Sequence, residues 1–172
     1  MVAKGQKELF QGQWKAQLHR QDSQLVVFNF ETRKINNRWQ LVIRNAAERI
    51  VVKNVTVSGD SVNFKMPVFE SEFRTKLQPD GSLKGIWYKG TALQTQQWVF
   101  TAHPNTTVRF EAIEGNHKHI ITGRWVVSII RPNGTARPAV AEFVQKGNEL
   151  TGTFLTPSGD YRYLEGIVTG NQ

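Results

Sequence analysis

Apolar and polar residues alternate along most of the chain, the period of a strand with one face buried. Trp14, Ala16 and Leu18 fall on one side, with Lys15, Gln17 and His19 on the other. Val26, Phe28 and Phe30 share a face, followed by Trp39, Leu41 and Ile43. Ile50-Val51-Val52 and the row from Val55 to Val57 come next, then Val62, Phe64 and Met66. The longest alternation puts Phe69, Ser71, Phe73, Thr75 and Leu77 inside and Glu70, Glu72, Arg74 and Lys76 outside. Leu83, Gly85 and Trp87 make one more row, and Trp98, Phe100 and Ala102 end the series. Turn residues separate the rows at Asn36-Asn37, Asn45-Ala46-Ala47, Ser58-Gly59-Asp60 and Pro79-Asp80-Gly81. Gly and Asn there tolerate positive φ, and Pro presets a turn. The pattern predicts about eight short strands between Gly12 and His103. Short connections favour an antiparallel up-and-down meander, and about eight such strands can close into a barrel without edges. A two-sheet sandwich is the rival. The inward rows carry Trp14, Phe28, Phe30, Trp39, Phe64, Phe69, Phe73, Trp98 and Phe100. Rings of that bulk predict a plugged interior, since an eight-stranded barrel is only just wide enough for its own side chains.

The chain also echoes itself. Gly12-Gln13-Trp14 recurs as Gly123-Arg124-Trp125. Leu150-Thr151-Gly152-Thr153-Phe154 is echoed by Leu83 to Trp87 and by Leu164 to Val168. His103 to Thr107 reads as a boundary. The expected organisation is therefore a first β unit over residues 1–106 and the truncated start of a second, similar unit over 107–172. Strands are expected in the second unit at Val108–Ile113, Trp125–Ile130, Val140–Val144, Leu150–Leu155 and Tyr161–Val168. The last of these reads as an edge strand that should seek a partner, with a homodimer as one outcome.

Composition narrows the chemistry. There is no cysteine, which excludes disulfides, thiolate nucleophiles and Cys-ligated metals. Ten Phe, five Trp and three Tyr supply the bulk of a core whose overall hydrophobic content is only 39%. The first residues contain no apolar run, so neither a signal peptide nor a membrane anchor is expected in them. Net charge is +8. Residues 1–106 hold 15 basic and 8 acidic side chains, and residues 107–172 hold 7 and 6. The basic residues are scattered, with no nucleic-acid-binding arm, so no nucleic acid partner is expected.

No Ser-His-Asp spacing, nucleophile elbow or phosphate-cradling glycine loop occurs, and no catalytic residue is assigned. His117 and His119 would share a strand face and are the weak metal candidates, with Glu111 or Glu114 nearby but no third ligand at convincing spacing. No metal or other cofactor is expected. Glu70 and Glu72 read as a solvated outer face beside Arg74 and Lys76 rather than an acid-base pair. The Gly159-Asp160-Tyr161-Arg162-Tyr163 stretch follows a hairpin turn, and Tyr161, Arg162 and Tyr163 are binding candidates.

Two resemblances follow from these residues. Gly123-Arg124-Trp125, Gly152-Thr153-Phe154 and the run from Gly159 to Gly166 resemble the N-terminal, non-catalytic β region of bacterial envelope proteins of the TlpA/ResA-like thioredoxin family. Gly12-Gln13-Trp14, Phe28, Asn45 to Arg49, Gly59 to Val62 and Pro67 to Phe69 extend the likeness over nearly the whole chain. It implies an accessory domain, acting as a scaffold or docking module, beside a thioredoxin-like thiol-disulfide oxidoreductase domain or another partner protein. It also implies a bacterial envelope or periplasmic location, with the targeting segment outside these residues. Members carry a Cys-x-x-Cys pair in the catalytic domain, and this chain has no cysteine, so no catalytic residue carries over. The second resemblance is to calycins, the lipocalin-like barrels, which open with Gly-x-Trp on the first strand. It implies that Trp14 packs near the closed end against a later arginine, for which Arg109 is the candidate, and it carries the alternative of a free-standing small-ligand-binding barrel.

Overall fold

A computed structural model describes residues 8–90, 96–111, 119–131 and 133–170. Among them there is no helix, and the architecture is all-β. The chain divides into two compact units, residues 1–44 with 49–109 and residues 45–48 with 110–172.

The first unit is a nine-stranded antiparallel meander. Its strands are β1 (Gly12–His19), β2 (Leu25–Ile35), β3 (Arg38–Asn45), β4 (Glu48–Val52), β5 (Asn54–Ser58), β6 (Ser61–Lys65), β7 (Ser71–Leu77), β8 (Leu83–Lys89) and β9 (Gln96–Pro104). Sheet order is β4-β3-β2-β1-β9-β8-β7-β6-β5, nearly closed into a barrel. The first and last strands of the meander, β1 and β9, pair over Trp14–His19 and Val99–Pro104.

The two ends of that order, β4 and β5, are separated in the chain by Lys53 alone. The ring therefore closes through the covalent backbone, not through a ladder between β4 and β5. Ile50 and Val52 of β4 pack inward at even positions, and Val55 and Val57 of β5 pack inward at odd ones. One extra residue is needed to shift that parity, and it is Lys53, where the Val55 amide donates to the Lys53 carbonyl at 3.1 Å. This is a bulge-like corner, and it lets one bent strand pair with β3 through its first half and with β6 through its second. Counted so, the barrel has the eight staves that the alternation predicts.

The core is aromatic. Trp14, Phe30 and Phe100 are fully buried, and Phe64 and Phe73 nearly so. Trp14 stacks on Phe30 with centroids 5.7 Å apart, and Phe64 on Phe73 at 4.3 Å. Phe28 meets both sets edge-on or tilted, and Phe100 meets Phe28 and the Phe64–Phe73 set, all within 6.4 Å. Phe28, Trp39 and Trp98 are half-buried against this cluster. Phe69 is a correction: it is 77% exposed and lies in the turn before β7, not on its inward row.

The second unit is a four-stranded antiparallel sheet: β10 (Gly123–Ile130), β11 (Ala136–Lys146), β12 (Glu149–Thr156) and β13 (Gly159–Ile167), in that order. The described part of the expected strand at Val108–Ile113, residues 108–111, is not a strand. The sheet repeats the first three strands of the chain with a constant offset of 111 residues. Strand lengths are 8, 11 and 8 in both. Trp14 pairs with Phe30 and Trp125 with Ala141; Phe30 pairs with Ile43 and Ala141 with Phe154; Ile35 pairs with Arg38 and Lys146 with Glu149. The first turns agree bond for bond. Arg20 N donates to Gln24 O and Ser23 N to Arg20 O, as Arg131 N donates to Thr135 O and Gly134 N to Arg131 O. Gly12 and Gly123 open the copies at φ of +142° and +135°, which side-chain-bearing residues rarely adopt. The Leu-x-Gly echo has a different basis. Gly85 and Gly152 sit on non-equivalent strands, and at both a Cβ would strike a neighbouring strand's carbonyl oxygen, at 2.0 and 2.3 Å.

Candidate functional site

Trp14, a binding candidate from its motif, is a core residue: it is fully buried, and its indole N–H donates to Thr32 Oγ1 at 2.8 Å. Thr32 in turn donates to the Phe10 carbonyl, and the Phe10 ring meets Trp14 edge-on at 6.0 Å. The segment before β1 thus packs on the first-strand tryptophan. Arg109 lies beyond β9 and donates from Nε to the Val27 carbonyl at 2.9 Å. Asn29 supports the same segment, donating to the carbonyls of Thr106 and Thr107 at 3.3 and 3.2 Å. Arg109 therefore helps hold residues 105–109 along β2.

Tyr161, Arg162 and Tyr163 are brought together on β13, all exposed. Two residues there face one on β12, because pairing passes from Gly152–Leu164 to Phe154–Tyr161. Tyr163 takes up the bulge at φ +58°, and Thr153 Oγ1 donates to the Tyr161 carbonyl at 2.8 Å. Arg162 pairs with Asp160 at 3.1 Å, which holds the guanidinium still more firmly protonated. Of the two histidines, His117 lies outside the described residues. The His119 carbonyl accepts a bond from Gln145 Nε2 at 3.2 Å. Among the described residues no group of three or more His, Cys, Asp or Glu could hold a metal.

Among the described residues of the first unit, the most exposed large apolar side chain, Phe69, lies in the β6–β7 turn. Phe69 and Glu70 have φ of +67° and +37°. Consecutive positive φ angles make a tight hairpin corner that Asn and Gly occupy without strain and Phe does not. Met66 N donates to Ser71 O across this turn, and Gly90 N to Glu70 O, both at 2.8 Å. The result is a held but strained tip, with Val68 44% and Phe69 77% exposed. Beside it, at the seam between β4 and β6, is a cavity of about 370 Å³ lined by Val51, Lys53, Asn54, Lys65, Met66 and Pro67. A second aromatic group lies on β8 and β9, where half-buried Trp87 and Trp98 pair at 4.8 Å and Arg20 stands over Trp98 at 5.6 Å. Alternation alone hides the Phe69 tip, because Phe69 sits at an inward parity. The signal available in the sequence was Pro67, which cannot donate to a ladder.

No family model, curated protein or solved structure matches this chain.

The arrangement offers apolar and aromatic contact surface and scattered cations. Among the described residues, no helix is long and apolar enough to cross a membrane.

Proposed function

We propose that this chain is a non-catalytic docking module. What supports the reading is the ring stack: Trp14, Phe28, Phe30, Phe64, Phe73 and Phe100 touch in a continuous chain inside the barrel. An eight-stave barrel filled in that way leaves recognition to its outside. The strained, exposed Phe69 tip with the adjoining seam is the surface best suited to it, since backbone strain and an exposed ring persist where function needs them. The likeness to the front region of TlpA/ResA-like proteins supplies the partner class, a thioredoxin-like thiol-disulfide oxidoreductase domain. In this reading the chain contributes contact surface and no redox group, as it has no cysteine.

The test is a pair of titrations. A purified thioredoxin-like domain of the TlpA/ResA class should bind the chain saturably, and Phe69→Ser should weaken that binding at least about tenfold. Oleate and a nonpolar fluorescent dye should show no one-to-one binding. Tight stoichiometric oleate binding would establish the ligand-carrying barrel instead.

A further inference from the structure

The offset of 111 residues lets each position of the second sheet be compared with its counterpart in the first. Positions that face inward in the first unit are alike in kind: Trp14, Ala16 and Leu18 correspond to Trp125, Val127 and Ile129, although Trp125 is 47% exposed where Trp14 is buried. Outward positions are not. Lys15, Asn29 and Arg44 form a row across β1, β2 and β3. Their counterparts Val126, Val140 and Leu155 form the same row across β10, β11 and β12. His19 and Arg33 likewise correspond to Ile130 and Val144. Five polar side chains of the first unit are thus five aliphatic ones in the second, and all five are exposed: Val126 by 92%, Ile130 by 64%, Val144 by 51%, Leu155 by 39% and Val140 by 36%.

A single exposed aliphatic residue is ordinary, but a cross-strand row of them is not. In the first unit this face is crossed by residues 105–109, held partly by the Asn29 amide on Thr106 and Thr107. Val140 has no side-chain amide with which to hold such a polar strap. An apolar row is matched by another apolar row.

We infer that the outward face of β10–β12 is a self-association surface, which packs against the same face of a second copy of this chain. Three observations select this occupant. The row is aliphatic, so it has no charge with which to choose a charged partner. Beside it, Arg124 Nε lies 2.6 Å from Glu142 Oε1, an ion pair that leaves the flank neutral. Residues 107–172 carry 7 basic and 6 acidic side chains against 15 and 8 in residues 1–106, so two copies meet with less repulsion through this unit than through the first. Three strands about 4.8 Å apart and about eight residues long, at about 3.3 Å per residue, present roughly 380 Å² per copy. Two copies bury roughly 760 Å², the size of a weak, reversible contact. A two-fold axis through the Val140 region places like residues on like, as an isologous interface requires.

The test gives the second unit the first unit's own row: Val126→Lys, Val140→Asn and Leu155→Arg together, with Val126→Lys alone as the variant least able to disturb folding. Sedimentation equilibrium of the full chain at about 0.15 M salt should give a dimer for wild type. Either variant should raise its dissociation constant at least about 100-fold, with the circular dichroism spectrum and melting temperature of the Val126→Lys chain unchanged. A wild-type chain that stays monomeric at about 100 μM overturns the inference. So does a dimer indifferent to Val126→Lys, which would place the contact elsewhere. A monomer whose binding to a thioredoxin-like domain is lost in the Val126→Lys chain overturns it too, by assigning the face to a different polypeptide.

Discussion

At the scale of single residues, glycines and one phenylalanine separate backbone cost from packing cost. Gly123 has φ +135° and open space where a Cβ would stand. Gly123→Ala should therefore lose only the conformational term, about 1–3 kcal/mol in a thermal or urea melt. Gly85 has no positive φ, but a Cβ there would lie 2.0 Å from the Arg74 carbonyl oxygen. Backbone cannot yield as a flexible side chain can, so Gly85→Ala should cost at least as much and shift the near-ultraviolet signal of the Trp87–Trp98 pair. Phe69 gives the opposite sign. With φ +67° and 77% exposure it strains the turn and buries little. Phe69→Asn should stabilise the chain by roughly 0.5–1 kcal/mol, seen as a raised denaturation midpoint. A destabilised Phe69→Asn chain would mean that the ring packs on the barrel in solution.

At the scale of elements, the corner at Lys53 and the turn at Asp80 carry the two most direct tests. Deleting Lys53 restores a single parity through residues 50–57 and turns either the Ile50–Val52 pair or the Val55–Val57 pair outward. Loss of that much buried aliphatic surface should remove the cooperative melt, whereas Lys53→Gly, which keeps the count, should be tolerated to within about 1 kcal/mol. In the β7–β8 turn, Asp80 Oδ1 accepts from the Ser82 hydroxyl at 2.6 Å and the Ser82 amide at 2.9 Å. Those bonds hold the Asp80 carboxyl below its ordinary value of 3.8. A depressed carboxylate stabilises the fold above its unfolded value, and the contribution disappears as pH falls below 3.8 through the folded one. Asp80→Asn should accordingly flatten the acid limb of stability against pH while leaving its neutral and alkaline parts parallel to wild type.

At the scale of the whole molecule, stability is unevenly shared. The aromatic core lies wholly within the first unit, from Leu9 to Ala102. Among the described residues, the buried apolar side chains of the second sheet and its flank are Ala139, Ala141 and Val168. Residues 1–109 alone should fold cooperatively with the near-ultraviolet spectrum of the parent. Residues 110–172 alone should not, because so short a segment with so few buried side chains cannot offset its conformational entropy. A separate cooperative melt for 110–172 would show that the sheet is stable by itself.

What the amino-acid sequence determined is what alternation and turn chemistry encode locally. A period of two places Trp14, Phe30, Phe64, Phe73 and Phe100 in one core, because neighbouring side chains of a strand must point to opposite faces. Gly12-x-Trp14 and Gly123-x-Trp125 mark the start of each copy, because the glycine takes a φ that few other residues can. The bend at Lys53 was not legible there, because Ile50-Val51-Val52 is apolar at both parities. Tertiary structure alone decided the rest. Phe69 sits at an inward parity, and only the hairpin corner, held from Met66 to Ser71 and from Gly90 to Glu70, turns it out to solvent. Trp14 and Arg109 look alike as binding residues in a list of motifs. Burial makes the first a core ring, and a bond to the Val27 carbonyl makes the second a strap for residues 105–109. The row Val126–Val140–Leu155 is scattered over thirty positions of sequence and becomes a surface only when three strands pair in register. A strand's alternation tells which residues share a face, but pairing decides which faces line up and packing decides which of them stay exposed.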